Sequence, residues 1–148
     1  MNNCLKLAKG DYMKNIYKWD ETLQINIVEI DLQHKRFIDI VNELHNAMTE
    51  GKGKSVLANV LKEVDDFLKV HFSHEEKLLK DYGYPDYNGH KKLHDNFVNK
   101  VNEIKEKQKT EIVGVTIKVS QLLINWFFDH IRTDDQKYVP FLMSKGVK

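Results

Sequence analysis

Histidines and carboxylates recur in this chain at helical spacing, on faces where apolar residues belong. There are seven histidines among 148 residues. His71 and Glu75 stand at i and i+4, as do His90 and His94, so each pair stacks on one face of a helix. His34 precedes Phe37 and Ile38 by about one turn. His130 shares a face with Leu123 and Phe127, and Asp134 and Asp135 lie one turn later. Burying an unpaired carboxylate costs several kcal/mol, and buried neutral imidazoles need hydrogen-bond partners. A metal ion removes both difficulties, because neutral imidazole and carboxylate are then its ligands. His34, His71, His90, His94 and His130 with two carboxylates nearly fill two six-coordinate sites if the carboxylates bridge. A first-row metal such as iron suits that nitrogen and oxygen set, whereas zinc prefers four ligands.

Four periodic stretches would carry these residues. The first spans about 31–50, with Phe37, Ile38, Val41, Leu44 and Met48 mostly three and four apart, and ends at Gly51 and Gly53. The second spans about 55–82, with Ser55 as its N-cap and a stripe of Leu57, Leu61, Val64, Leu68, His71, Glu75 and Leu78. Gly83 and Pro85 break the chain. The third spans about 86–107, capped by Asp86, and carries Leu93, Phe97, Val101 and Ile104. The fourth spans about 112–132, with Ile117, Leu123 and Phe127 inward. In the C-terminal segment 133–148, Pro140 is expected to act as a stop. Up to about residue 30 the chain reads as an arm, since Trp19, Leu23, Ile25 and Ile27 show no helical period.

The expected fold is therefore all-α: one domain, residues 1–148, an antiparallel up-down four-helix bundle with an N-terminal arm. In such a bundle the second and third helices meet at the Gly83–Pro85 turn. The first helix begins, and the fourth ends, at that same end of the bundle. That geometry allows all the candidate ligands to share one layer.

A formal net charge of +1 with Lys and Glu interspersed argues against nucleic acid or an anionic membrane surface as main partner. The single cysteine, Cys4, excludes an internal disulfide framework and fits a reducing compartment. Leu5, Leu7 and Ala8 are too few for the apolar core of a signal peptide, and no apolar run reaches the ~20 residues of a membrane span. The expected location is the cytoplasm.

The segments Ile30-Asp31-Leu32-Gln33-His34-Lys35, His71-Phe72-Ser73-His74-Glu75-Glu76, His90 through His94, and Trp126-Phe127-Phe128-Asp129-His130-Ile131 ending at Asp135 resemble the hemerythrins, especially the bacterial ones. The resemblance covers about Trp19 to Tyr138. It implies a di-iron centre with an oxo or hydroxo bridge. One iron would be held by His90, His94 and His130, the other by His34 and His71, with Glu75 and Asp135 bridging. Spacing alone does not choose between Asp134 and Asp135; the family's interval favours Asp135. The implied function is reversible binding of molecular oxygen at the iron with a vacant position, for storage, transport or delivery. The protein would be a binder and not an enzyme, its protein partner unspecified. Alternatives are a sensor of oxygen, redox state or nitric oxide acting through a partner, or an oxygen-activating enzyme. Against the last, di-iron enzymes of the ferritin type use Glu-x-x-His pairs, and none occurs in this chain.

Phe37, Leu123, Trp126 and Phe127 are expected to line a dry oxygen pocket. The four stripes carry no Lys, Arg or Tyr near the ligand layer, so no outside proton donor is expected there. Two departures from the family pattern stand out. Many relatives carry Gly at the position of Asn26 and Leu at that of Phe127. His74, off the stripe, is expected at the surface, and His45 in the core.

Overall fold

Amphipathic periodicity produces four long helices. The computed structural model describes residues 16–110 and 114–148. Cys4, Leu5, Leu7, Ala8, Ile112 and Val113 lie outside the described residues. The helices are α1 (Val28–Thr49), α2 (Gly53–Asp81), α3 (Tyr87–Gln108) and α4 (Val115–Asp129). The chain then passes through a π turn (His130–Asp135) into α5 (Gln136–Ser144). Helix α1 packs on α2 and α4, and α3 packs on the same two, which is the neighbour pattern of a four-helix bundle. No strand occurs among the described residues.

Inward residues of all four helices make one core, including Phe37, Leu44, Val60, Val64, Phe97, Val101, Val119, Leu123 and Phe127. Ile117 is not among them. It is 53% exposed, and Val115 and Val119 are buried instead. The inward stripe of α4 runs Val115, Val119, Leu123, Phe127 at steps of four. Ser55 does not cap α2; the helix begins two residues earlier, and the Ser55 hydroxyl donates to the Lys52 carbonyl at 2.8 Å. Asp86 occupies the N-cap position of α3 without a side-chain capping bond.

Pro140 lies inside α5 rather than after a helix. Its missing N–H leaves a carbonyl one turn back without a helical donor. The helix continues because Tyr138, Val139 and Leu142 are buried against the bundle.

The arm is structured where described, and it ties to the end of the bundle where α1 starts. A short 3-10 turn, Glu21–Leu23, is capped by Asp20, which accepts from the Thr22 N–H at 2.8 Å. Arg132 donates to Asp20 and to the Thr22 hydroxyl, fastening the arm to the π turn. Leu23 and Ile25 are fully buried. Asp31 in the first turns of α1 accepts from the N–H groups of Ile25 and Asn26 at 2.9 and 3.1 Å.

Asn26 has φ +62°, the left-handed region that glycine occupies at no steric cost. The chain must turn sharply before α1, and after Gly, Asn is the residue best tolerated in that conformation. Asn26→Ala is expected to cost about 1 kcal/mol, whereas Asn26→Gly should stay within about 0.5 kcal/mol of the parent. Urea denaturation of the two variants checks this, and equal losses would remove the backbone explanation.

Candidate metal centre

Each helix delivers its polar residues to one layer near the end of the bundle closed by the arm. His34 comes from the second turn of α1, His71 and Glu75 from the last third of α2, His90 and His94 from the first turns of α3, and His130 and Asp135 from the two ends of the π turn. All seven side chains are buried. One donor atom each from Glu75, His90, His94, His130 and Asp135 lie within 4.8 Å of one another.

His34 and His71 stand beside that group, not within it. The two carboxylates span the gap. Glu75 Oε2 lies 3.8 Å from His71 Nε2 on one side, and 3.4 and 3.1 Å from the Nε2 atoms of His90 and His94 on the other. Asp135 is placed likewise, with Oδ2 3.3 Å from His34 Nε2, and Oδ1 3.4 and 2.9 Å from the Nε2 atoms of His90 and His130. The rings of His34 and His71 are 4.8 Å apart.

The π turn separates the roles of Asp134 and Asp135. In an α-helix the residue four after His130 would share its face; the wider π turn carries the fifth residue inward instead. Asp135 is fully buried in the cluster, while Asp134 stays at the edge with its carboxylate 3.2 Å from His130 Nδ1 on the ring's outer side.

Outer partners hold three of the rings. The Nδ1 atoms of His71, His94 and His130 face Gln33 Oε1 at 2.8 Å, Glu76 Oε1 at 2.9 Å and Asp134 Oδ2 at 3.2 Å. With a metal bound, such contacts would fix the tautomer and leave Nε2 to serve as a ligand. Gln33 also donates from Nε2 to His74 Nδ1 at 3.0 Å. His74 is therefore not a plain surface residue; its side chain is 29% exposed and its other nitrogen faces Glu29. His45 is half-buried, edge-on to Tyr17.

Buried carboxylates and buried rings set each other's charge in this layer. Burial alone would push the Glu75 carboxyl up, but hydrogen bonds from His90 and His94 outweigh it and hold the group well below the carboxylate range. Burial pushes His71 down to about 3, so that ring is neutral. Burial acts the same way on His130, but the Asp135 charge and the Asp134 contact overcome it and raise the ring to about 10. In the metal-free protein, protons thus supply the positive charge that the carboxylates need.

The donor set fits a metal on a further count. His34 Nε2 and both carboxylate oxygens of Asp135 are buried without a hydrogen bond of good geometry among the described residues. Buried polar atoms are nearly always satisfied, and an ion is one accepted reason for an exception. Imidazole nitrogens and carboxylate oxygens turned to a common centre are first-row metal donors.

Aromatic rings wall the layer. Phe127 lies 5.6 Å from the His34 ring and stacks on Phe37 at 4.1 Å, and Phe67 stacks on His71 at 5.1 Å. Leu123 is buried one turn before Phe127. Trp126 is elsewhere. It stacks on His130 at 4.3 Å and on Phe97 at 3.8 Å, against the rings opposite His34 and His71. Of the four residues expected to line one pocket, Phe37 and Phe127 sit beside the His34–His71 side and Trp126 does not.

Tyr138 corrects the expectation of no tyrosine near the layer. It is fully buried, its hydroxyl donates to Glu75 Oε1, and its ring lies 5.3 Å from His90. Helix stripes ending at Arg132, with Pro140 as a stop, could not contain it. The signal was its place one turn beyond Asp135. Burial and the nearby Asp135 and Glu75 charges raise its hydroxyl well above the usual tyrosine range, so it keeps its proton. Tyr138→Phe is expected to cost about 2 kcal/mol, since a hydrogen bond to a charged acceptor is lost. Chemical denaturation of the metal-free protein would read this, and an unchanged midpoint would show the contact to be idle.

Known proteins share this frame. The family model of the hemerythrin HHE cation binding domain matches residues 26–142. Bacteriohemerythrin of Pseudomonas aeruginosa is 41% identical over 134 residues, covering 88% of this chain and 86% of that protein. Bacteriohemerythrin of Stenotrophomonas maltophilia is 37% identical, covering 81% and 77%. The crystal structure of a hemerythrin mutant with leucine changed to tyrosine superposes with a TM-score of 0.73 at 28% identity, covering 85% of this chain and 96% of the other. The chain belongs to the hemerythrin HHE cation-binding family. No helix among the described residues is long and apolar enough to cross a membrane.

Proposed function

We propose that this chain holds two iron ions in the buried layer and binds molecular oxygen reversibly, as a carrier or store and not as a catalyst. The observation that carries this is the pair of buried carboxylates, each in contact with one ring of the His34–His71 pair and two rings of the His90–His94–His130 set. That is where bridging ligands between two cations would stand. His90, His94 and His130 would hold one ion, His34 and His71 the other, and Glu75 and Asp135 both. The ions would supply the electrons and the open coordination position that oxygen needs.

The protein's own part is positioning and exclusion. Gln33, Glu76 and Asp134 fix the rings. Tyr138 holds one oxygen of Glu75. Phe37, Phe67 and Phe127 form an apolar wall on the side with fewer ligands, which limits water and protons there. A histidine-dominated site walled by apolar rings favours binding over turnover, because among the described residues no side chain beside the wall is placed to deliver a proton. The Tyr138 proton is held by Glu75.

The test is purification in air, metal analysis, and visible spectra through a cycle of reduction and re-oxygenation. About two irons per chain and a colour that returns with oxygen are expected. A colourless zinc protein that takes up no oxygen would end this proposal, and bleaching with substrate turnover would favour an enzyme.

A further inference from the structure

Taking the metal pair proposed above as given, the rings that would hold the two ions have unequal backing. On the three-histidine side, His94 and His130 present Nδ1 to the carboxylates of Glu76 and Asp134. On the other side, His71 presents Nδ1 to the neutral amide oxygen of Gln33, and His34 Nδ1 is buried with no hydrogen bond among the described residues. A carboxylate that accepts a ring N–H draws the proton away and makes the opposite nitrogen a stronger donor; an amide does so less. The number of ligands points the same way. The gathered donor group contains Glu75, His90, His94, His130 and Asp135, and leaves out His34 and His71.

We propose that the two metal positions differ in affinity: the His90–His94–His130 position fills first and holds tightly, the His34–His71 position is labile, and Gln33 is the positioning residue that keeps it so. Gln33 can do this because it is itself held. Its amide nitrogen donates to His74, which fixes the amide with its oxygen toward His71. The weaker ring donors would hold an ion at that position less firmly. The labile ion is thus the one beside the Phe37–Phe127 wall.

Anaerobic titration of the metal-free protein with ferrous ion, tracked by competition with a coloured chelator and by native mass spectrometry, tests this. Two steps at least tenfold apart are expected, with a one-metal form prominent at half-saturation. Gln33→Glu should tighten the second step by roughly 10–100-fold and leave the first nearly unchanged. Glu76→Gln should weaken the first step by a similar factor. A merely structural role for Gln33 would loosen binding in the Glu variant and could not tighten it. Two equal, independent steps, or a Gln33→Glu effect confined to the first, would overturn the inference while leaving the metal pair intact. Binding of a single ion would instead overturn the function on which it rests. Should Gln33→Glu fail to fold, by circular dichroism, the step separation in the parent and the Glu76→Gln shift decide alone.

Discussion

Replacing Glu75 by alanine is expected to give a folded protein that retains only a small fraction of its iron. Glu75 is fully buried at the centre of the layer and faces His71, His90 and His94. It is also the acceptor for Tyr138. Its loss takes a ligand from both proposed ions at once, and removes the carboxylate that does most to favour the charged form of His94 against burial. Breaking a buried charged contact from one side costs about 3–5 kcal/mol. The apolar core beyond the layer is untouched, so the bundle should survive. Metal analysis of the purified variant reads the first effect. The second appears in melting curves: a chelator should lower the midpoint of the parent and leave that of the variant where it is. Iron content equal to that of the parent would show that Glu75 is not a ligand.

Phe97→Ala should be among the most damaging changes at residues that touch no proposed ligand. Phe97 is fully buried and stacks on Trp126 with centroids 3.8 Å apart, and Trp126 in turn stacks on His130. Removing so large a buried ring costs about 3–5 kcal/mol, through lost burial and the cavity left behind. The consequence reaches the site, because the Trp126 ring loses the surface that holds it against His130. Ile117→Ala, at an exposed position of α4, is the control and should change stability by no more than about 0.5 kcal/mol. Urea titrations of the two variants give the contrast. Losses of similar size would mean that the core is not organised around Phe97.

The bundle was legible because its punctuation is strong. Gly51, Gly83 and Pro85 stand at the helix ends, and the stripes from Phe37 to Leu44 and from Leu57 to Leu68 repeat at helical spacing. Six of the inward polar residues, His34, His71, Glu75, His90, His94 and His130, were legible from their places on those stripes. What escaped was whatever depends on the chain departing from ideal helix geometry. Four-residue counting cannot foresee a π turn, so spacing left Asp134 and Asp135 open. Pro140 reads as a stop, and this hid Tyr138, whose hydroxyl holds Glu75. Gln33 and Glu76 sit off the apolar stripes among ordinary surface residues, and nothing local marks them as partners of buried rings; Asp134, one turn after His130, was marked only as a candidate ligand. Trp126 shows the limit of adjacency: it is the chain neighbour of Phe127 but points to the opposite side of the layer.

The span between His34 and Asp135 carries one more consequence. These two side chains touch at 3.3 Å, yet they come from the beginning of α1 and the end of the π turn, with nearly the whole bundle between them in the chain. Closing so long a loop is entropically expensive and must be compensated by contacts formed elsewhere first. A nascent chain therefore cannot complete the cage until Asp135 has been synthesised. Capture of the proposed cations would then be a late event of maturation, and a chain cut short just before Asp135 would keep His130 and the candidate ligands of α1, α2 and α3 but lack the carboxylate that joins His34 to His90 and His130.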